Sequence, residues 1–371
     1  MYNNGYDPET LVHNYRRIAH GKARAGAIRS AINQADLNND IPYMMFFREE
    51  LCDESYWFVD ELEVVTVYPE LLAIMDRYPE TRPVKFAGDR DNILNILNTY
   101  KDLLDVCTSF YQIPMEDCIN FHNDFMKRWL AYGRTAREAY HMFFDLYLET
   151  GDLDNAAKFL DKLKKVPAEA YDCVACAITG EIKYYLLNNE KDKADKLAEK
   201  VYDGTYRCNS RWSDSILKLR RSYLKYYILH GDYEKAAEIT YLMEHSGSQI
   251  NAYNKYASFM CAYVHIKPGR GLRIYKKHWK EWQEENNQYD RYYNFKDAAC
   301  FFKGLETERS RDTVRLELDR RFPLYNEENI YNIKSMSKYY YKEAEDIARK
   351  FDKRNTTDRF IKELEMSFAN V

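Results

Sequence analysis

Three stretches of the chain share one layout: FFDLYLETGDLDNAAKFLDKL (143–163), IKYYLLNNEKDKADKLAEKV (182–201) and LKYYILHGDYEKAAEITYLM (224–243). Each opens with an aromatic-rich amphipathic run and passes through a short polar turn. Each then resumes with a run that carries a small residue near its start: Ala156–Ala157, Ala194 and Ala236–Ala237. Aligned on the turns, Gly151, Asn189 and Gly231 fall in register, 38 and 42 residues apart. A weaker copy, YVHIKPGRGLRIYKKHW (263–279), puts Gly271 at the small position, 35 residues after Ala236. Such self-similarity marks an array of helix hairpins, each burying one stripe against its neighbour. The small residue lets a partner helix approach closely. The expected fold class is therefore all-α, an α-solenoid of antiparallel helix hairpins.

The layout resembles the tetratricopeptide repeat, whose period is about 34 residues. The intervals here are longer, and the signature Trp and Pro positions are missing. The resemblance implies a superhelix whose first helices line a concave surface. Composition agrees with long helices and few tight turns, since Gly (13) and Pro (9) are scarce in 371 residues. The N-terminal part is helical but less regular. Residues 27–51 suggest a hairpin with LNND as its turn and Pro42 at a helix start. Segments 56–78, 90–111 and 114–132 show apolar residues at three- and four-residue spacing. The best break is YPETRPVKFAGDRD (78–91). The segments 336–351 and 358–368 read as terminal helices. The expected domains are an irregular helical region (1–135), the repeats (136–325) and capping helices (326–371).

Cysteines pose a separate question. Cys173 and Cys176 are i and i+3, hence on one face of a helix predicted over 172–188. That helix turns at NNE, and a second of similar length returns over 190–202. Cys208 follows the linker DGTYR and so comes back to the end where Cys173 and Cys176 sit. The plainest reading is packing, because free Cys behaves as a small apolar residue. The alternatives are a structural zinc held by Cys173, Cys176 and Cys208, or a reversible thiol pair. Asp172, His141 and His245 are candidates for a fourth zinc donor, none of them fixed by spacing.

The run DCVAC…GEIKYYLLNNEKDKADKLAEKVYDGTYRC, followed by LKYYILHGDYEKAAEI and YKKHWKEW…YNFKDAACFF, resembles a group of bacterial tetratricopeptide-like proteins of unknown function. The resemblance covers about residues 136–305. It implies the hairpin fold and the co-location of the three cysteines, and it supplies no activity. The Pro usual after the last Cys is absent in CNSRW.

Chemistry-bearing motifs are sparse. GRG (269–271) lacks the preceding strand and the Lys-Ser/Thr ending of a phosphate loop, and neither GxSxG nor HExxH occurs. The eight histidines are dispersed, and His265 and His278 stand 13 residues apart. Carboxylates alternate with lysines, as in EKDKADKLAEK, in the manner of a solvated helix face. The expectation is a protein that is not an enzyme. Two features suit recognition instead. The first is a basic, aromatic segment in which Arg270, Arg273 and Lys277 share a helix face and Trp279 and Trp282 are neighbours. Its plainer reading is core aromatics with a solvated basic back. The second is the tyrosine pairs Tyr184–Tyr185 and Tyr226–Tyr227, one ring of each for the core and one for a groove.

The net charge of −4 and pI near 6.1 argue against a generic nucleic-acid or membrane-surface protein. No run nears 18 apolar residues, the opening MYNNGYDPET has no leader pattern, and eight scattered cysteines do not make a secreted disulfide framework. The expected home is the cytoplasm. The leading expectation is a non-catalytic scaffold or adaptor that binds a protein or peptide in its concave face. One alternative is a peptide-sensing regulator, for which Arg16, Arg17, Lys22, Arg24 and Arg29 offer N-terminal positive charge before the chain turns acidic between Glu49 and Glu63. The other is a hydrolase or transferase with a site assembled across the superhelix.

Overall fold

The computed structural model describes residues 5–85, 92–169, 172–208, 215–246, 257–308 and 312–371. Among them are seventeen helices and one short two-stranded sheet, so the chain is an all-α helical-repeat protein. It divides into two compact units, Met1–Met142 and Phe143–Val371, with the division inside one helix.

The first unit holds α1 (Pro8–Arg16), α2 (Lys22–Leu37), α3 (Ile41–Phe58), α4 (Leu62–Arg77), α5 (Asn92–Ser109), α6 (Met115–Ala131) and the opening of α7 (Arg137–Thr150). The LNND turn stands where the sequence places it, with Asn39 in the left-handed region (φ 50°). The 56–78 segment, by contrast, is split: α3 runs on to Phe58 and α4 starts at Leu62. Of the break at 78–91, residues 86–91 lie outside those described. The core is aromatic, with Phe47, Tyr68, Tyr100 and Phe125 fully buried. Around it the N-terminal cations are taken up by the acidic stretch that follows. Arg16 pairs with Glu50 (3.0 Å), Arg24 with Glu54 (3.2 Å) and Arg29 with Glu63 (2.6 Å).

The second unit holds the rest of α7, then α8 (Leu153–Lys165), α9 (Val174–Leu187), α10 (Lys191–Tyr202), α11 (Ser215–Leu229), α12 (Tyr233–Glu244), α13 (Ala257–Ala262), α14 (Pro268–Glu284), α15 (Gln288–Glu308), β1 (Thr313–Arg315), β2 (Ile330–Asn332), α16 (Ile333–Asn355) and α17 (Arg359–Ala369). The aligned turn residues share one backbone conformation: Gly151, Asn189 and Gly231 have φ of 88°, 61° and 72°. The following N–H reaches back five residues, from Glu190 to the Tyr185 carbonyl (2.8 Å) and from Asp232 to that of Tyr227 (2.9 Å). The same bond closes the α2–α3 turn, from Asp40 to Ala35 (3.0 Å). These are Schellman closures, which satisfy orphan carbonyls and require a left-handed residue. Asp152 and Asp232 then cap the next helix by accepting from the Asn155 and Lys235 N–H groups.

The small positions behave as contact points. Ala156, Ala194 and Ala236 are fully buried. A Cβ on Gly271 would overlap the Phe301 ring and stand 3.0 Å from the Met260 carbonyl, so α14 can sit this close to its neighbours only with glycine there. The β-hairpin was not legible in the sequence. It is antiparallel, with Thr313 opposite Asn332 and Arg315 opposite Ile330. The terminal helices α16 and α17 belong to the same unit as the hairpins, and α16 packs along α15.

Candidate functional site

The three cysteines meet. Cys173 is the N-cap of α9, Cys176 lies in its first turn, and Cys208 follows α10 as the hairpin returns. Cys208 Sγ is 3.4 Å from Cys173 Sγ and 4.0 Å from Cys176 Sγ, and all three sulfurs lie within 4.8 Å of one another. Each cysteine is half-buried and in the thiol form, outside any disulfide. Sulfurs bound at 2.3 Å to a tetrahedral zinc stand about 3.8 Å apart, so the donor set fits a shared metal ion. The hydrogen bond with Cys176, then burial, hold the Cys173 thiol above its usual range. The Lys218 ammonium, 3.8 Å from Cys176 Sγ, brings positive charge to the corner. No fourth donor joins this group among the described residues. Asp172 is bonded to the Glu169 N–H (2.8 Å), His245 to the Tyr241 carbonyl, and His141 faces Glu138 at 3.8 Å. The CNSRW loop beyond Cys208 lies outside the described residues.

The tyrosine pairs sit near the turn ends of α9 and α11. Tyr227 is buried, while Tyr184, Tyr185 and Tyr226 are half-buried. Tyr226 stacks on His230 (4.1 Å) and donates to Asn189 Oδ1 (3.4 Å). Lys193 lies over Tyr185 (5.4 Å).

The chain's own C-terminal helix reaches the turn ends of α7 and α11. Arg359 of α17 donates to the carbonyls of Leu148 (3.0 Å) and Glu149 in α7, and Asn370 donates to Leu229 of α11 (2.8 Å). A Cβ on Gly151 would meet Arg359, and one on Gly231 would stand 2.8 Å from the Asn370 carbonyl. Two of the aligned turns are therefore glycine for a second reason, the seating of α17. Beneath it lies an ionic cluster. Glu149 accepts from Lys183 of α9 and from Tyr289 Oη of α15 (2.5 Å). Burial would raise its pKa, but the Lys183 and Arg359 cations outweigh burial and hold it at about 2. Glu363 is likewise lowered against burial by Lys296 (3.2 Å) and Arg359. Lys225 rests 3.4 Å above the Tyr293 ring, and burial beside Arg221 and Lys183 pushes it well below the usual lysine range. These charges and tyrosines are dispersed through the sequence and carry no local pattern by which they could have been found.

The basic aromatic segment forms α14, and the structure divides it. Trp279 and Trp282 are core: they are 7% and 1% exposed, against Phe322 and Tyr275 respectively. Their place in a recognition surface is corrected, because the apolar stripe of α14 faces inward. Arg270 is half-buried, paired with Glu244 (2.6 Å) and lying over Tyr263. Arg273, Lys276 and Lys277 are exposed. Arg273 and Lys276 border a groove of about 650 Å³ together with Gly269 and Leu272 of α14, all three residues of β1, and Ile330.

No protein-family model matches the chain, and no curated protein matches it. The fold defines it as an all-α helical-repeat protein, and no helix of the described residues is long and apolar enough to cross a membrane.

Proposed function

We propose that this chain is a tetratricopeptide-like protein of the bacterial cytoplasm that binds a protein or peptide and carries out no chemistry of its own. The observation that supports this reading is the groove beside α14, a cavity of about 650 Å³ walled by cations on an otherwise slightly acidic protein. The expected site moves with it. The end of α11 that carries Tyr226 and Tyr227 receives Asn370 of α17 at the Leu229 carbonyl, and this reading puts the binding surface on α14 and the β-hairpin rather than among Tyr184, Tyr185, Tyr226 and Tyr227. The regulator reading loses ground because Arg16, Arg24 and Arg29 are ion-paired within their own unit.

The test is selection of peptides from a randomised display library on the full chain, with the variant Arg273→Glu/Lys276→Glu as the counter-screen. The reading expects sequences enriched on the wild type and lost on the variant. Enrichment indifferent to the variant, or no enrichment, would sink it.

The three-thiol corner takes a supporting role in this reading: a structural zinc held by Cys173, Cys176 and Cys208, stapling one hairpin. The fit of the sulfur spacings supports it. Metal analysis of protein purified without added zinc should find close to one equivalent, and less than about a tenth would refute it.

A further inference from the structure

One wall of the α14 groove is an open strand edge. In an antiparallel pair, residues alternate between those that exchange hydrogen bonds with the partner strand and those whose N–H and C=O point away from it. Leu316 N–H donates to the Asn329 carbonyl (3.0 Å) and Ile333 N–H to that of Asp312 (2.9 Å). With the register Val314 opposite Tyr331, the inward positions are 312, 314 and 316. Thr313 and Arg315 therefore turn their N–H and C=O groups away from β2. Neither makes a hydrogen bond among the described residues. All three β1 residues border the groove although their side chains alternate in direction, with Val314 buried and its neighbours exposed. The groove thus meets the strand along its edge.

The opposite wall supplies charge. Arg273 and Lys276 are i and i+3 on α14, hence on one face. With Arg315 they give three exposed cations, and among the described residues none of them is paired and no carboxylate lines the groove. Leu272 and Val314, both buried, form an apolar floor between them. An edge with two outward N–H donors and two outward C=O acceptors matches another extended backbone in register. Side chains of such a strand alternate, so one residue meets the floor while its two neighbours reach the cations.

We infer that the α14–β1 groove takes an extended acidic segment of a partner protein, which adds to β1 as a third strand with carboxylates toward Arg273, Lys276 and Arg315. This rests on the reading of the chain as a peptide-binding protein and names the partner's chemistry. Single-stranded nucleic acid would also satisfy the cations, but it has no alternating donors and acceptors to match Thr313 and Arg315.

The test is fluorescence anisotropy on the full chain with a labelled octapeptide of alternating Glu and Val. Controls are the Lys–Val peptide and an oligouridylate of equal charge. The acidic peptide should bind and the lysine peptide should not. Arg273→Glu/Lys276→Glu should weaken binding by about tenfold or more with an unchanged melting temperature. Thr313→Pro removes one outward N–H, keeps every charge, and is tolerated at a strand edge. It should abolish binding, and in the wild type the Thr313 and Arg315 amides should gain protection from hydrogen exchange when the peptide is added. Binding indifferent to Thr313→Pro, or equally tight binding of the oligouridylate, overturns strand addition. If library peptides bind in a way lost on Arg273→Glu/Lys276→Glu while the acidic peptide does not, the peptide-binding reading stands and this inference falls. If no peptide binds, both fall.

Discussion

Glu149→Gln tests the seating of α17. The carboxylate of Glu149 joins α7 to α9 through Lys183 and to α15 through Tyr289, and the Arg359 guanidinium of α17 lies beside it. A carboxyl that ordinarily titrates at 4.5 and is held at about 2 contributes about 3 kcal/mol at neutral pH. Its side chain is 26% exposed, and glutamine keeps the bond to Tyr289, so the expected loss is nearer ~2 kcal/mol. For a unit of this size that lowers the melting temperature by about 4–8 °C at pH 7. The folded pKa lies below the unfolded one. The contribution is therefore complete above pH 4.5 and is lost as pH falls through about 2. The gap between wild type and variant should shrink to less than about half by pH 3. Calorimetry from pH 7 to pH 3 reads the gap, and hydrogen exchange should show faster opening of α17 in the variant. A gap as large at pH 3 as at pH 7, or α17 amides that exchange as in the wild type, refutes the reasoning.

Further expectations concern other parts of the molecule. Gly231→Ala puts a Cβ 2.8 Å from the Asn370 carbonyl at φ 72° and should cost about 1–2 kcal/mol by thermal melting, whereas Asn189→Gly at the equivalent turn should be neutral or slightly stabilising. Trp282→Ala should cost about 3–5 kcal/mol, as expected of a core ring rather than a contact residue. Burial and the neighbouring Asp53 and Asp105 raise Asp102 to about 8; its stabilising contribution is present below 3.8 and lost as pH rises through about 8. The melting temperature of the first unit should therefore fall between those limits, and Asp102→Asn should flatten the profile. Cys208→Ser should lower the melting temperature of the second unit and abolish any loss of stability caused by a chelator, with peptide binding at α14 unchanged.

The parts legible in the sequence are those written in local chemistry. The turns at Asn39, Gly151, Asn189 and Gly231 are set by residues that accept a left-handed backbone, and flanking apolar periodicity fixes the helices on either side. The meeting of Cys173, Cys176 and Cys208 follows from two helices of similar length joined by one turn, so arithmetic along the chain suffices. Long-range features escape this arithmetic. The pairing of Thr313 with Asn332 closes a loop whose two strands have three residues each, too short for a period-two pattern to stand out. Glu149, Lys183, Tyr289 and Arg359 come from four helices and look, one at a time, like ordinary surface charges and one more tyrosine among many. The tryptophans of α14 were ambiguous for a different reason: a stripe of aromatics beside cations describes both an amphipathic core helix and a binding face, and only burial separates them.

The position of α17 bears on where the proposed partner would sit. A helical repeat exposes the face of its first helices because nothing in the repeat itself covers them. Here the covering element is built in, and it is held at both ends: Arg359 at the turn marked by Gly151, Asn370 at the turn marked by Gly231. Phe360 and Leu364 are buried between those ends, and Asp352 anchors the start of the helix by accepting from the Phe360 and Ile361 N–H groups. A ligand for the face that α17 occupies on α7 and α11 would have to break these contacts and leave Glu149 and Glu363 without Arg359, a loss of several kcal/mol before any gain. A ligand for the proposed α14 groove breaks no hydrogen bond or ion pair of Arg273, Lys276, Thr313 or Arg315 among the described residues. Among the described residues, the outward groups of β1 and the cations Arg273, Lys276 and Arg315 have no partner. On the reading proposed above, this energetic asymmetry, rather than the abundance of tyrosine, favours the α14 groove over the face that α17 occupies.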